Sequence, residues 1–134
     1  MSQKYFKEFD FNNEQIRKYL ESASKDIAIA QNSKEPEVRF QFSYNALIKC
    51  AYALIGFKEN KRARSQPGHH IKLLEAMAEL LNDKNVFING NAMRSKRNKD
   101  LYFAESIVTV TEADEYLEFV ISTLERIKQE ITFT

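Results

Sequence analysis

The sequence predicts an all-α fold, an up-and-down bundle of four or five helices. Apolar residues recur every three or four positions in four separate segments, which is the spacing of one helix face. The chain has 3 Gly and 2 Pro in 134 residues, too few turn-forming residues for many short strands. With 43% hydrophobic and 29% charged residues, the composition is that of an ordinary globular protein, and we expect one domain over residues 1–134.

The first two helices are predicted from apolar stripes and end signals. The first runs from about Asn13 to Gln31, and Asn12 or Asn13 can cap its first turn. The second begins near Pro36, which suits a first helical turn, and is predicted to end at Gly56. Its long apolar stripe makes it the expected central helix. The stripe contains Phe40, Tyr44, Leu47, Ile48, Ala51, Leu54 and Ile55.

A polar loop, Phe57–Gly68, is predicted to follow, and then a third helix from His69 or His70 to Leu81. Asn and Asp residues at positions 82, 83 and 85 should end this third helix. Val86–Met93 reads as a short connecting segment, and only the second half of Arg94–Phe103 as a helical turn or short helix.

The last helix is predicted to open at Thr111, with Glu112 and Asp114 in its first turn, where acidic side chains complement the helix dipole. The β-branched run Ile107–Thr111 before it is expected to be extended or a turn. The inward stripe of this helix contains Leu117, Val120, Ile121, Leu124, Ile127 and Ile131.

The location of the protein is predicted from what the sequence lacks. The single cysteine, Cys50, lies in an apolar run and is expected to be a buried core residue. Residues 1–10 show no signal-peptide pattern. The most apolar stretch, Ala46–Phe57, is too short to span a bilayer and contains Lys49. We therefore expect a cytoplasmic protein without a membrane partner.

Basic residues concentrate in two short segments, although the net charge is only +1. Lys58–Arg64 holds four basic residues and one acid, and Arg94–Lys99 holds four basic residues and no acid. One interpretation is that both are solvated loops. The other is phosphate binding, because arginine forms bidentate contacts with phosphate. The candidate phosphate-binding residues in these segments are Arg62, Arg64, Arg94, Lys96 and Lys99.

The segment Arg97–Tyr102, with Arg-Asn at its start, resembles the signature of the HEPN superfamily, in which an Arg and a polar residue precede a His. Ser43–Gly56 resembles the central helix of that family, and Gln66–Glu75 the start of the next helix in a bacterial branch. The likeness covers about half of the chain, roughly Arg39 to Phe103. The Gly-His-His segment and the Arg-Asn pair are its more specific parts.

The resemblance implies a helical bundle that commonly forms a homodimer, with two Arg-polar-His motifs across one cleft. Many HEPN domains are metal-independent ribonucleases, and others are non-catalytic partners of nucleotidyltransferases, often in toxin–antitoxin or defence systems. For this chain it implies RNA or a nucleotide as the ligand, and no cofactor.

Residue by residue, the resemblance assigns Arg97 to the scissile phosphate and Asn98 to orienting Arg97 or the substrate. Tyr102 stands where the family has His. Because a tyrosine pKa is near 10, only about 0.1% of the phenol is ionised at pH 7, so Tyr102 is a poor proton acceptor. It remains able to hydrogen-bond phosphate or stack on a base. The motif therefore favours binding over cleavage.

Two adjacent histidines, His69 and His70, follow Pro67 and Gly68 at the start of the third helix, where free backbone amides also attract phosphate. Because neighbours on a helix point about 100° apart, we expect that they cannot both face one site. The alternative is that one packs or caps while the other is solvated. Two histidines without a third ligand do not predict a metal site.

Three functions remain open from the sequence. The first is an RNA-directed HEPN-type protein, either a weak endoribonuclease or an RNA binder, with Arg97, Asn98 and Tyr102 at its site. The second is a non-catalytic nucleotide-binding or antitoxin-like subunit that pairs with a nucleotidyltransferase. The third is a helical interaction module without a nucleic-acid role. Phe40, Tyr44 and Tyr52 are predicted to belong to the core rather than to a cofactor site.

Overall fold

A computed structural model describes the backbone of residues 2–103 and 108–133 and the side chains of residues 2–99 and 108–133. Helices dominate the described chain, and two three-residue strands pair into one small antiparallel sheet. The predicted all-α bundle is therefore confirmed. In chain order the elements are β1 (Phe6–Glu8), α1 (Asn13–Asn32), α2 (Pro36–Glu59), β2 (Lys61–Ala63), α3 (His69–Leu81), α4 (Lys84–Phe103) and α5 (Val110–Glu130).

Helix α2 is the central helix, as the sequence predicts, and it packs against α1, α3, α4 and α5. Its buried residues lie on all sides of the helix rather than on one stripe, which is typical of a helix surrounded by others. Small side chains let the neighbouring helices approach closely. The fully buried residues of α2 include Ala46, Leu47, Cys50, Ala51, Ala53 and Leu54.

Burial gives Cys50 the structural role that the sequence predicts. Its side chain is buried in the core, and desolvation raises the pKa of the thiol to about 12. The thiol therefore stays protonated at neutral pH, because the thiolate would be stranded in an apolar environment.

Capping boxes define the starts of the first and last helices. The Asn12 side chain accepts from the Gln15 backbone amide at 2.8 Å, and Oε1 of Gln15 accepts from the Asn12 backbone amide at 2.9 Å. Thr109 and Glu112 form the same reciprocal pair before α5. The last helix thus begins at Val110 rather than Thr111, since the Thr109 hydroxyl caps it; Ile107 lies outside the described residues.

Gly56 lies inside α2, which corrects the prediction that it ends the helix. The helix continues to Glu59 and ends at Asn60, which has the left-handed φ of 53°. A Cβ at Gly56 would lie 2.7 Å from Cδ2 of Phe11 and 3.1 Å from Cδ1 of Ile16. The glycine is thus needed for the close approach of the segment before α1, not for a turn.

The predicted loop Phe57–Gly68 is also wrong in its first half, because it contains the end of α2 and strand β2. Strand β2 pairs with β1, with Phe6 opposite Ala63. Two strands of three residues each are too short to show an alternating pattern in the sequence.

Helix α4 is one helix of 20 residues, where the sequence predicted a connecting segment and a short helical turn. Its first half is rich in Asn, a weak helix former, so local propensity does not reveal it. Packing against α3 stabilises it instead. Val86 and Met93 are buried, and a Cβ at Gly90 would lie 2.8 Å from Cδ2 of Leu74.

Within the residues that the structure describes, no helix is both long enough and apolar enough to cross a bilayer.

The Gly56 contact can be tested by a double-mutant cycle. Gly56→Ala alone should lower the free energy of unfolding by about 1–3 kcal/mol, because the steric overlap with Phe11 outweighs the gain in helix propensity. In a Phe11→Ala background the same change should cost much less, since the ring that it overlaps is gone. Urea denaturation of the four proteins measures the coupling, and additive effects would show that Phe11 does not confine Gly56.

Candidate functional site

An open cavity of about 440 Å³ lies between the start of α3 and the second half of α4. We call it the α3–α4 cavity. It is large enough for a small ligand or part of a polymer. It is lined by Ser65, Gln66, Pro67, Gly68, His69, His70, Ile71, Arg94, Arg97 and Asn98. Five of these residues are site candidates from the sequence, and α3 and α4 bring them together.

Helix α4 places three polar side chains on the cavity by its periodicity. Arg97 and Asn98 lie three and four residues after Arg94, so the three side chains share one face of the helix. The Arg94 Nε donates a hydrogen bond to Oδ1 of Asn91 at 2.9 Å. The guanidinium carbon of Arg97 lies 5.4 Å from the centroid of the Tyr44 ring, a cation–π contact that fixes its direction.

The start of α3 forms the other wall of the cavity. Gly68 precedes the helix with a left-handed φ of 81°, and no side chain caps the first turn. The His69 amide donates to the carbonyl of Gln66 at 3.1 Å. The next amides of the first turn, those of His70 and Ile71, have no intrahelical partner, and they carry the positive end of the helix dipole. Such a helix start attracts anions.

Each histidine of the pair has one ring nitrogen engaged by the protein. Nδ1 of His69 lies 2.8 Å from the carbonyl oxygen of Gln66, and Nδ1 of His70 lies 2.8 Å from the hydroxyl oxygen of Tyr44. The two rings are edge to face, with centroids 4.5 Å apart.

Both histidines line the α3–α4 cavity, which corrects the expectation that they cannot face one site. The expectation assumed a ligand beside the helix, where neighbouring side chains diverge. The cavity instead lies across the N-terminal end of α3, so side chains that diverge around the axis still border it. The turn at Gln66 also draws the His69 ring back toward the His70 ring.

The site is electrostatically unusual at His70. The pKa of its imidazole is lowered to about 4, chiefly by burial and to a smaller extent by the neighbouring His69, Arg97 and Arg94. His70 is therefore neutral at pH 7. The arginines that exclude a proton from His70 would equally attract an anionic ligand.

Tyr44 is a site residue that sequence reasoning missed. It is 1% exposed, so its predicted place in the core is confirmed, yet its hydroxyl reaches the His70 ring. Burial raises the pKa of Tyr44 to about 12, against a smaller opposing effect of Arg97 and Arg94. The phenol thus keeps its proton. The one clue in the sequence is general, since a buried tyrosine hydroxyl needs a hydrogen-bond partner.

The remaining candidates on α4 do not line the described part of the cavity. Lys96 forms an ion pair with Glu112 at 2.9 Å and so joins α4 to α5. Lys99 is exposed. The backbone of Tyr102 belongs to α4, but its side chain lies outside the described residues.

The candidates of the earlier basic segment also lie elsewhere. The Arg62 guanidinium lies over the Phe9 ring, 5.1 Å from its centroid. Nε of Arg64 donates a hydrogen bond to the carbonyl of Gln3 at 3.0 Å. Strand β2 and its pairing with β1 direct these arginines toward the N-terminal segment, not toward the cavity.

The described side chains contain no group of three or more His, Cys, Asp or Glu residues able to hold a metal ion.

Comparison with known proteins adds no relative. No family model matches the chain, and neither does any curated protein or solved structure. The likeness to HEPN domains therefore depends on the motif residues themselves.

The displaced pKa of His70 predicts how stability changes with pH. The folded pKa of about 4 lies below the ordinary value of 6.5, so the unfolded chain binds more protons between these pH values. The stabilisation is fully present above pH 6.5 and is lost as the pH falls toward 4. We expect the Tm of the wild type to fall more steeply over this window than that of His70→Gln. His69→Gln is the matched control and should keep the larger part of the steepness; equal slopes for wild type and His70→Gln would refute the assignment.

Proposed function

We propose that this chain is a HEPN-like RNA-binding protein and that the α3–α4 cavity holds a phosphate group of the RNA. One observation carries the proposal: two guanidinium groups, the Asn98 amide and the uncapped start of α3 share one open cavity. None of the described lining residues is acidic. Arg94 and Arg97 therefore present positive charge that an anion would neutralise.

Single-stranded RNA suits the form of this site better than a duplex. The cavity is open and local, and it can accept one phosphate of a flexible strand with its sugar and base in the surrounding space. Sequence-independent binding of single strands depends on such positive grooves. The likeness to HEPN domains supports the same ligand and a homodimer in the cytoplasm, in which a second copy would supply a second cavity.

Cleavage of RNA is a second candidate function, and the position of the histidines favours it. His69 and His70 border the same cavity as Arg97, so imidazole groups are present although Tyr102 replaces the family His. An imidazole can exchange a proton near neutral pH, which a phenol does poorly. The neutral His70 is, however, a hydrogen-bond donor or acceptor rather than an acid at pH 7.

The proposal is tested by binding of a labelled, mixed-sequence single-stranded RNA, followed by fluorescence anisotropy as salt is raised. Arg94→Ala and Arg97→Ala should each weaken binding at low salt by about 10-fold or more, because each removes a charge-assisted contact. Each should also reduce the slope of log K against log salt by about 0.7, the value of one phosphate contact on a single strand. Tm should change little, since both side chains lie outside the hydrophobic core.

Lys84→Ala is the matched control, because Lys84 is exposed at the opposite end of the same helix, about 20 Å from Arg97. It should leave affinity and slope nearly unchanged. Undetectable RNA binding by the wild type at low salt would refute the proposal. The remaining function would then be a helical interaction module without a nucleic-acid role. Binding of free nucleotides but not of RNA would favour the nucleotidyltransferase partner. Loss of intact RNA in the presence of EDTA, abolished by Arg97→Ala, would establish a metal-independent endoribonuclease.

A further inference from the structure

The tautomer of His69 follows from the atom that its Nδ1 contacts. Nδ1 of His69 lies 2.8 Å from the backbone carbonyl oxygen of Gln66, and a carbonyl oxygen can only accept a hydrogen bond. Nδ1 must therefore carry the hydrogen. In the neutral ring the other nitrogen, Nε2, then has a free lone pair, so His69 presents an acceptor.

The tautomer of His70 follows from the Tyr44 hydroxyl. That hydroxyl belongs to a residue that is 1% exposed, and the described residues offer it one hydrogen-bond partner, Nδ1 of His70 at 2.8 Å. A buried hydroxyl that keeps its proton has to donate it. Nδ1 of His70 is then the acceptor, and in the neutral ring the hydrogen lies on Nε2. His70 presents a donor.

The groups that face His70 from helices α2, α3 and α4 favour a neutral imidazole. Arg94 and Arg97 face His70 from α4, His69 lies beside it on α3, and Tyr44 lies below it on α2. Burial, His69, Arg97 and Arg94 all disfavour a second proton on His70. The arginine charges also make the cavity a place for an anion next to the two imidazoles.

We propose that the contacts with Gln66 and Tyr44 hold His69 and His70 in opposite tautomers, so that the α3–α4 cavity distinguishes ribonucleotides from deoxyribonucleotides. The 2′-hydroxyl of the ribose donates to Nε2 of His69, while the adjacent phosphate accepts from Nε2–H of His70 and from Arg97. A 2′-hydroxyl and a 3′-phosphate sit on neighbouring carbons of one ribose, and the two histidine rings are likewise adjacent, with centroids 4.5 Å apart. The 2′-hydroxyl is the group by which proteins recognise RNA.

The inference rests on the proposed function, because it assumes that the cavity holds a phosphate. It assigns each histidine a different contact. His69 hydrogen-bonds the ribose, and His70 hydrogen-bonds the phosphate together with the arginines. Tyr44 is a positioning residue, since it acts on the ligand only through the His70 ring and the Arg97 side chain.

The tautomers are measured directly by long-range ¹H–¹⁵N correlation spectra of ¹⁵N-histidine-labelled protein at neutral pH. We expect a protonated Nδ1 for His69 and a protonated Nε2 for His70. Tyr44→Phe, which keeps the buried ring, should turn His70 into a mixture of tautomers and leave His69 unchanged. The same tautomer in both wild-type histidines would overturn the proposal.

Affinity for RNA and DNA single strands of the same sequence tests the specificity. The wild type should bind RNA about 10-fold more tightly than DNA, the effect of one hydrogen bond to a recognised hydroxyl. His69→Phe should bring the RNA-to-DNA ratio close to one, chiefly by weakening RNA binding. His70→Phe should weaken both ligands by a similar factor, and thermal melting confirms that each variant is folded.

The outcomes separate the two proposals. If the wild type binds neither strand at low salt, the proposed function fails. If it binds RNA and DNA equally, or if His69→Phe leaves the ratio unchanged, the phosphate site stands and the ribose assignment is wrong. Should His69→Phe not fold, the tautomer spectra of the wild type and of Tyr44→Phe still decide the arrangement.

Discussion

The hydroxyl group of Tyr44 connects the buried centre of the fold to the α3–α4 cavity. Its ring lies in the core on α2, its oxygen contacts His70 on α3, and its face meets Arg97 on α4. Three helices thus converge on one side chain. Because Tyr44 cannot move without disturbing the core, the groups that it contacts hold fixed directions. A site supported in this way loses little conformational entropy when a ligand binds.

That convergence depends on how closely the helices pack around α2. The small residues of α2 and the contact between Gly90 and Leu74 bring α4 near to α3. The approach carries Arg94 and Arg97 to the start of α3, where the helix dipole is also positive. Two cations beside a positive helix end repel one another, which disfavours the empty site. Binding of an anion would relieve that repulsion, so the same packing that forms the core also supports the proposed affinity for phosphate.

Much of the fold could be predicted from the sequence, and the reasons for success and failure are physical. Helices α1, α3 and α5 each bury one apolar face, so their periodicity is visible in the residues, and α2 is long and apolar enough to be recognised although it is buried on all sides. Helix α4 carries Asn and charged residues through most of its length and is stabilised by tertiary contacts that no local pattern records. Glycine usually marks a helix end, which explains the wrong prediction at Gly56, whereas here the glycine leaves space for the Phe11 ring.

The candidate site was predictable in part for similar reasons. Arg94, Arg97 and Asn98 could be selected by charge and by the HEPN-like motif, and the histidines by their place at a helix start. Arg62 and Arg64 could not be separated from them, because their direction depends on the pairing of two three-residue strands. The role of Tyr44 depends on a contact between residues 26 positions apart, which a single sequence does not show.

The most direct test of the proposed site is an NMR titration of the wild type with a short single-stranded RNA at low salt, following the Nε–H signals of the arginines and the backbone amides. We predict that the largest chemical-shift changes fall on Arg94, Arg97 and the amides of residues 68–71, while the signals of Arg17 and Arg126 stay nearly constant. Changes concentrated on Arg17 or Arg62, with the α3–α4 cavity unaffected, would contradict it.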